Sequence, residues 1–321
     1  MALTRITNVV ESVDTISTNN PAANSNPSGG VGHTWLNKTS GQMYICTDAT
    51  AGANVWINIG DGTGQIPNTS AATGGTVTTQ GDYKIHTFTT SANFVVTTSG
   101  ANAEMLLIAG GGGSGASHIT SSYTTERAGG GGAGGYRHFT SIPLSNQTYS
   151  IIVGAGGTGQ AAVIDDPGSG GGDSSALGYT SSGGGCSGFT GLDTNNGITG
   201  GSGGGAGSTG SGGTGGSGNK GKYTPAEGNN GGGSSTWSNA GGGGGSGGPG
   251  QPNVASGGAG PGTANSISGS SVTYAAGGAV VGQNNGGANT GDGAGGHAIN
   301  ADNTNIPNGG SGIVILKYKF Q

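Results

Sequence analysis

Gly216-Ser-Gly-Asn-Lys-Gly-Lys222 has the spacing of a phosphate-binding loop, in which glycine amides and a lysine cradle phosphate oxygens. Tyr223 stands where the metal-binding Ser or Thr belongs, and no strand precedes or helix follows the stretch, so its amides are not arranged around a phosphate. Gly200-Gly-Ser-Gly-Gly204 and Gly244-Gly-Ser-Gly-Gly248 match the nucleophile elbow, which needs a strand-to-helix turn and His and acid partners. With 80 glycines in 321 residues, all three matches read as products of composition. His33, His86, His118, His138 and His297 lack metal-ligand spacing and read as surface or strand residues. Cys46 and Cys186 are isolated, so they build neither a disulfide framework nor a zinc cluster and read as buried small apolar residues. Asp165-Asp166-Pro167-Gly168 is a turn signature, and no Asp recurs at the period of calcium-binding nonapeptides. Asp173 and Asp193 are left as a carboxylate pair that only the fold could bring together for glycoside cleavage. The expectation is no enzyme, no catalytic residue, no cofactor and no metal.

A different set of residues suits binding. Tyr123, Tyr179, Phe189, Tyr223, Trp237 and Tyr274 interrupt connectors that are otherwise small and polar. Aromatics on loops give contact area with sugars or proteins at low entropy cost. The same residues could instead cover the edges of the structure or fill subunit interfaces.

The chain carries 9 Lys and Arg against 14 Asp and Glu, a formal charge of −5, so no basic surface for a nucleic-acid backbone is expected. The first 13 residues lack the apolar run of an export signal, and the longest apolar runs, Met105–Ala109 and Ile313–Leu316, are far too short to cross a bilayer. A soluble protein without membrane insertion is expected.

The elements that must position these loops are strands. His33–Asn37, Gln42–Cys46 and Asn54–Ile59 predict a small antiparallel meander whose large aromatics are Trp35, Tyr44 and Trp56. Those three either form its core or offer a flat platform for sugars. This module spans 1–67, and a Ser/Thr/Ala/Gly linker over 68–75 separates it from a glycine-rich domain over 76–321. There the strands are Tyr83–Phe88, Asn93–Thr98 and Glu104–Ile108, a further pair at Tyr136–Phe139 and Tyr149–Val153, and Gly312–Phe320. The last is expected to pair back on Glu104–Ile108 and so bracket the glycine tracts.

Such a glycine content ordinarily signals disorder. Here only 7% of residues are charged and well-formed apolar strands punctuate the tracts, unlike a disordered chain. Collagen is excluded because runs such as Gly241–Gly245 break a strict three-residue period and prolines number only 10. The remaining solution is a bundle of extended threefold helices of the polyglycine II kind, whose amides and carbonyls pair between neighbours in place of a hydrophobic core. The expected class is all-β with this bundle and essentially no α-helix.

The tracts follow an order. Leu106-Leu-Ile-Ala-Gly-Gly-Gly-Gly113 is followed by Gly129-Gly-Gly-Gly-Ala-Gly-Gly-Tyr-Arg137, then Ile151-Ile-Val-Gly-Ala-Gly-Gly157 and a closing Gly310-Ser-Gly-Ile-Val-Ile315. Over about residues 80 to 320 this resembles the glycine-rich domain at the C-termini of phage tail-fibre and related virion proteins. The segment from Val31 through Tyr44 to Asn58 is also similar, more weakly, to short modules of phage structural proteins. The resemblance implies a virion protein at the particle surface, made in the host cytoplasm and acting as a tail-fibre or fibre-like adhesin. The partners expected are other virion proteins, sister subunits in a homotrimer, and a host surface glycan or outer-membrane protein. The competing reading is a decoration or filament-forming subunit without a receptor.

Overall fold

The computed structural model describes residues 13–60, 70–115, 127–160, 168–189, 195–208, 212–297 and 306–320. Two compact units divide the chain, 1–69 and 70–320, and every regular element among the described residues is a strand.

The first unit is a four-stranded sheet in the order β1 (Thr15–Ser17), β2 (Thr34–Asn37), β3 (Met43–Asp48), β4 (Val55–Gly60). β2, β3 and β4 form the antiparallel meander read from the sequence, and β1 adds to it in parallel. Alternation puts Trp35, Tyr44, Cys46 and Trp56 on one face, where Trp35 and Trp56 meet edge to face at 5.6 Å. The chain before β2 closes over that side: the Trp35 indole donates to the Asn19 carbonyl, and the Asn54 amide to that of Ala23. His33 is buried, not superficial, because Thr15 and the Gly29 amide bond its ring nitrogens.

The second unit opens at Ser70, which is buried. Its hydroxyl accepts from the amides of Gly100 and Ala101, and its amide donates to the Lys319 carbonyl. β5 (Ala71–Thr73) pairs with β8 (Ala92–Thr98), so part of the expected linker over 68–75 is sheet. Its Ser, Thr and Ala residues lack a hydrophobic pattern but satisfy a free edge. β8 also pairs with β11 (Thr148–Ile151), completing a three-stranded sheet.

A five-stranded antiparallel sheet runs β10 (Tyr136–Pro143), β9 (Asn102–Ile108), β16 (Ile313–Lys319), β7 (Tyr83–Phe88), β6 (Thr76–Gln80). β16 sits beside β9 with Ile313 opposite Ile108 and Ile315 opposite Leu106, as the sequence reading expected. β10 and β11, read as a pair, belong to different sheets. One face of the larger sheet packs Phe88, Met105, Leu107 and Leu316 against Phe94, Val96 and Ile151 of the smaller one. The other face packs Ile85, Leu106 and Ile315 under Ile267 and Tyr274, carried by the hairpin of β14 (Thr263–Asn265) and β15 (Val272–Tyr274). Burial on both faces is why Met105–Ile108 and Ile313–Leu316 are unbroken apolar runs. A short hairpin of β12 (Ser174–Ala176) and β13 (Tyr179–Ser181) sits beside them.

The bundle grows directly out of this sheet. β9 continues into residues 109–115, residues 127–135 feed β10, and residues 306–312 feed β16. Along the first run the amides turn through three neighbours in rotation. Ala109 and Gly112 donate to Gly135 and Gly132, Gly110 and Gly113 to Gly172 and Ser169, and Gly111 and Ser114 to Gly310 and Pro307. The carbonyls of Gly110 and Gly113 accept from Gly184 and Ser187, those of Gly111 and Ser114 from Gly157 and Gln160, and that of Gly112 from Ala294. A return to the same neighbour every third residue is the repeat of polyglycine II, and six surrounding runs make the packing hexagonal. Cβ atoms are excluded by the spacing: one at Gly110 would lie 1.9 Å from the Ala155 carbonyl oxygen.

Candidate recognition surfaces

The direction of each run fixes which end its connectors occupy. Residues 109–115 run away from the sheet, and 127–135 run back antiparallel to them, since Ala109 meets Gly135 and Gly112 meets Gly132. The same bookkeeping sends 154–160, 182–188, 200–208 and 228–234 outward and 168–172, 195–198, 212–219 and 306–312 inward. Gly115 and Arg127, Gln160 and Gly168, Phe189 and Asn195, Ser208 and Gly212, and His297 and Ile306 therefore all stand at the end away from the sheet. Ser70, where the chain enters this unit, stands at the opposite extreme beside Lys319.

Trp237 is at the outer end and half exposed. Its connector, between Ser234 and Ala240, is held to the neighbouring turn by Asn253. The Asn253 side-chain oxygen accepts from the Ser235 amide at 2.6 Å and from its hydroxyl at 3.0 Å, and its carbonyl accepts from the Asn239 side chain at 3.1 Å. Asn253 has φ 52°, a conformation that Asn tolerates better than most residues. Arg127 reaches across the same end to the Ala255 carbonyl. An aromatic ring on a braced loop offers a flat apolar face at low entropy cost, a feature that sugar or protein recognition uses.

The other candidate aromatics have different fates. Tyr123 lies outside the described residues, as do His118, Asp165, Asp166 and Asp193. Phe189 is buried where its run ends, and Tyr274 is buried under the five-stranded sheet, where desolvation raises its phenol above the usual range. Of the two readings open for these connectors, burial of both rings agrees with the covering one, since connector position alone does not say which side a ring faces. Tyr179 and Tyr223 meet at the sheet end around Arg137, a residue with no signal in the sequence beyond following a glycine tract. The Arg137 guanidinium lies 3.7 Å from the Tyr223 ring centre, 4.9 Å from that of Phe139 and 6.0 Å from that of Tyr179, and donates to the Thr180 carbonyl at 2.7 Å. A cleft of about 520 Å³ opens beside it, lined by Tyr136, Arg137, His138, Phe139 and Pro225.

Glu227 fixes the connector that carries Tyr223. It is buried, and its carboxylate accepts from the amides of Ser182 at 2.8 Å and Gly221 at 2.9 Å and from the Ser181 hydroxyl. Backbone amides and a hydroxyl thus anchor this side chain at the foot of the connector. Asp173 works likewise, accepting from the Gly183 amide. The nucleophile-elbow serines are structural too: Ser202 is fully buried inside the bundle, and Ser246 bonds Thr263 and the Tyr274 carbonyl. Neither Cys46 nor Cys186 forms a disulfide, and both are buried.

A family model described as a glycine-rich domain matches residues 86–319. The chain belongs to this glycine-rich domain family. The match begins at His86 in β7 and ends at Lys319, the last residue of β16, so it takes in the strands that bracket the bundle and every tract between them. No curated protein matches the chain. Backbone bonds hold the interior of the glycine-rich domain, and Trp237 at one end and Tyr179 and Tyr223 at the other lie outside that lattice.

Proposed function

We propose that this protein is a non-enzymatic phage virion component, a tail-fibre or fibre-like adhesin whose glycine-rich domain presents its outer end to a bacterial surface receptor. One observation carries the reading. Five pairs of connector flanks and the 235–239 connector stand at the end farthest from Ser70, and strand β9 plus its glycine run span about 45 Å between those extremes. A stiff spacer with its tether at one end and a braced, half-exposed Trp237 at the other suits the display of a contact surface. The order of tracts shared with virion proteins supplies the phage setting.

Exchanging the 235–239 connector, or Trp237→Ala, is expected to lower adsorption of particles to host cells while particle yield and thermal stability stay as in the parent. Adsorption unchanged by exchange of every outer connector would sink the adhesin. The burial of Phe189 and Tyr274, and the closure of Tyr179 and Tyr223 on Arg137, favour a second reading in which connectors serve packing inside a decoration or filament subunit. Its mark is outer-connector exchange that blocks particle assembly.

A further inference from the structure

β10 is an edge strand of the five-stranded sheet, and its free side is not uniform. Ala109 donates to the Gly135 carbonyl, so Gly135, Arg137 and Phe139 turn their carbonyls toward β9 while Tyr136 and His138 turn their backbone groups away from it. The Tyr136 amide finds a partner in the Glu227 carbonyl. The Tyr136 carbonyl and the N–H and C=O of His138 have none among the described residues. Pro225, on the connector that bears Glu227, has no N–H with which to continue the pairing, and the cleft of about 520 Å³ opens between that connector and the strand. Tyr136 to Phe139 all line it, and four consecutive strand residues, which point alternately to opposite faces, can line one cleft only along the strand's edge. Farther along, a bulge between Phe139 and Ile142 and then Pro143 blunt the edge, so the open stretch is short.

Arg137 adds a second, independent feature. Its guanidinium has five N–H donors, and one goes to the Thr180 carbonyl; the contact with the Tyr223 ring takes none of them in a conventional hydrogen bond. Among the residues that line the cleft, it alone carries a permanent charge. The carboxylates around the cleft are already engaged: Glu104 by His138 at 2.9 Å and Lys317 at 3.8 Å, Glu227 by the amides of Ser182 and Gly221, and Asp173 by that of Gly183. Lys220 and Lys222, both exposed, precede Tyr223 and Pro225 on the same connector.

We propose that this cleft docks an extended, acidic segment of another protein, which adds to β10 as a short strand beside His138 and sets an Asp or Glu carboxylate on Arg137. A separate observation fixes each half of that ligand. The unpaired N–H and C=O of His138 accept a backbone, as in strand addition, where main-chain bonds give affinity and alternate side chains give specificity. The spare donors of Arg137 form a fork that matches a carboxylate, with Phe139 and Pro225 as apolar walls beside it. The chain has 9 Lys and Arg and a formal charge of −5, so the gathering of Arg137, Lys220 and Lys222 in and beside one cleft sets the sign of the partner. The cleft lies at the sheet end of the glycine-rich domain, so the assignment stands or falls independently of what the outer end binds.

The test selects peptides from a random displayed library on the full chain and then measures a selected peptide, synthesised with a fluorescent label, by polarisation. Extended sequences rich in β-branched residues and carrying an Asp or Glu are expected. In the complex the His138 amide should gain protection from hydrogen exchange. Arg137→Gln should weaken binding about tenfold or more, and should cost nothing further once the acid of the peptide is replaced by its amide, since both changes remove the same pair. His138→Pro is compatible with an edge whose N–H faces outward and should weaken binding as much. Melting verifies the fold of each variant, and if the proline variant unfolds, the amide protection decides the strand addition. Trp237→Ala should bind as the parent does. Failure to select any peptide, peptides that keep their affinity without the acid, or a His138 amide left unprotected in the complex overturns the proposal.

Discussion

Replacing Gly112 by alanine tests the hydrogen-bonded lattice at its centre. A Cβ there would lie 2.2 Å from the Gly185 carbonyl oxygen and 2.5 Å from its carbon. Reaching even 3.0 Å requires the two runs to part by about 0.8 Å, a distance that close-packed neighbours on every side resist. Two bonds join these runs on either side of this point: the Gly184 amide to the Gly110 carbonyl at 2.8 Å and the Ser187 amide to the Gly113 carbonyl at 3.2 Å. Stretching them by that amount leaves buried amides and carbonyls unpaired, at about 1–3 kcal/mol for each group. The expected loss is about 3–5 kcal/mol, or roughly 10 °C in Tm for a unit of this size. Gly282→Ala is the internal control. Its Cβ meets nothing nearer than 3.4 Å, and its φ lies outside the left-handed region, so restricting the unfolded chain should raise stability by about 0.4–1 kcal/mol. Differential scanning calorimetry of the two variants reads both signs. Equal Tm values for Gly112→Ala and the parent would refute the lattice, and so would equal damage from both substitutions.

Arg137→Gln should lower stability by about 1–2 kcal/mol, since the stacked guanidinium joins the Tyr223 connector and the β12–β13 hairpin to β10; chemical denaturation measures it, and an unchanged midpoint would contradict the assignment. His86 is buried between Gly74 and Tyr318, and desolvation holds its pKa below the ordinary value. The unfolded chain therefore binds this proton more readily, so the His86 contribution is complete above about pH 6.5 and is lost as pH falls from there toward the folded pKa. Melting across that window should shift less in His86→Gln than in the parent. Cys46 and Cys186 should resist alkylation in the native protein and both react once it is unfolded, as intact mass would record; fast native labelling of either would contradict their burial.

The sheet framework was legible in the sequence because its signals are local. Tyr83–Phe88 keeps the bounds read from alternation, and Ile313–Lys319 pairs with β9 as its apolar run implied. The glycine tracts were legible through exclusion, since low charge and interleaved strands left a laterally bonded bundle as the solution. The short strands β5, β12, β13, β14 and β15 were not read, because three residues, mostly Ser, Thr and Ala, carry no periodicity and pair only where a neighbour offers an edge. The aromatic connectors divided for the same reason. Whether Trp237 faces water and Tyr274 lies under the sheet depends on the parity of runs between them, and a glycine tract of any length looks alike from inside. Arg137 and Glu227 were missed because their partners, Tyr223 and Ser182, are dozens of residues away.

The continuity of β9 and β16 with glycine runs has a mechanical meaning. Tension between Ser70 and the outer end acts along the strand axis, so the perpendicular bonds of the antiparallel sheet and the lateral bonds of the bundle are loaded together in shear instead of one at a time by peeling. Resistance is then shared over the whole length, and failure requires many bonds to yield at once. A bending load meets no such sharing, because a run with no internal hydrogen bonds has only its neighbours to keep it straight. The domain is thus built as a tension member, strongest when pulled by its outer end.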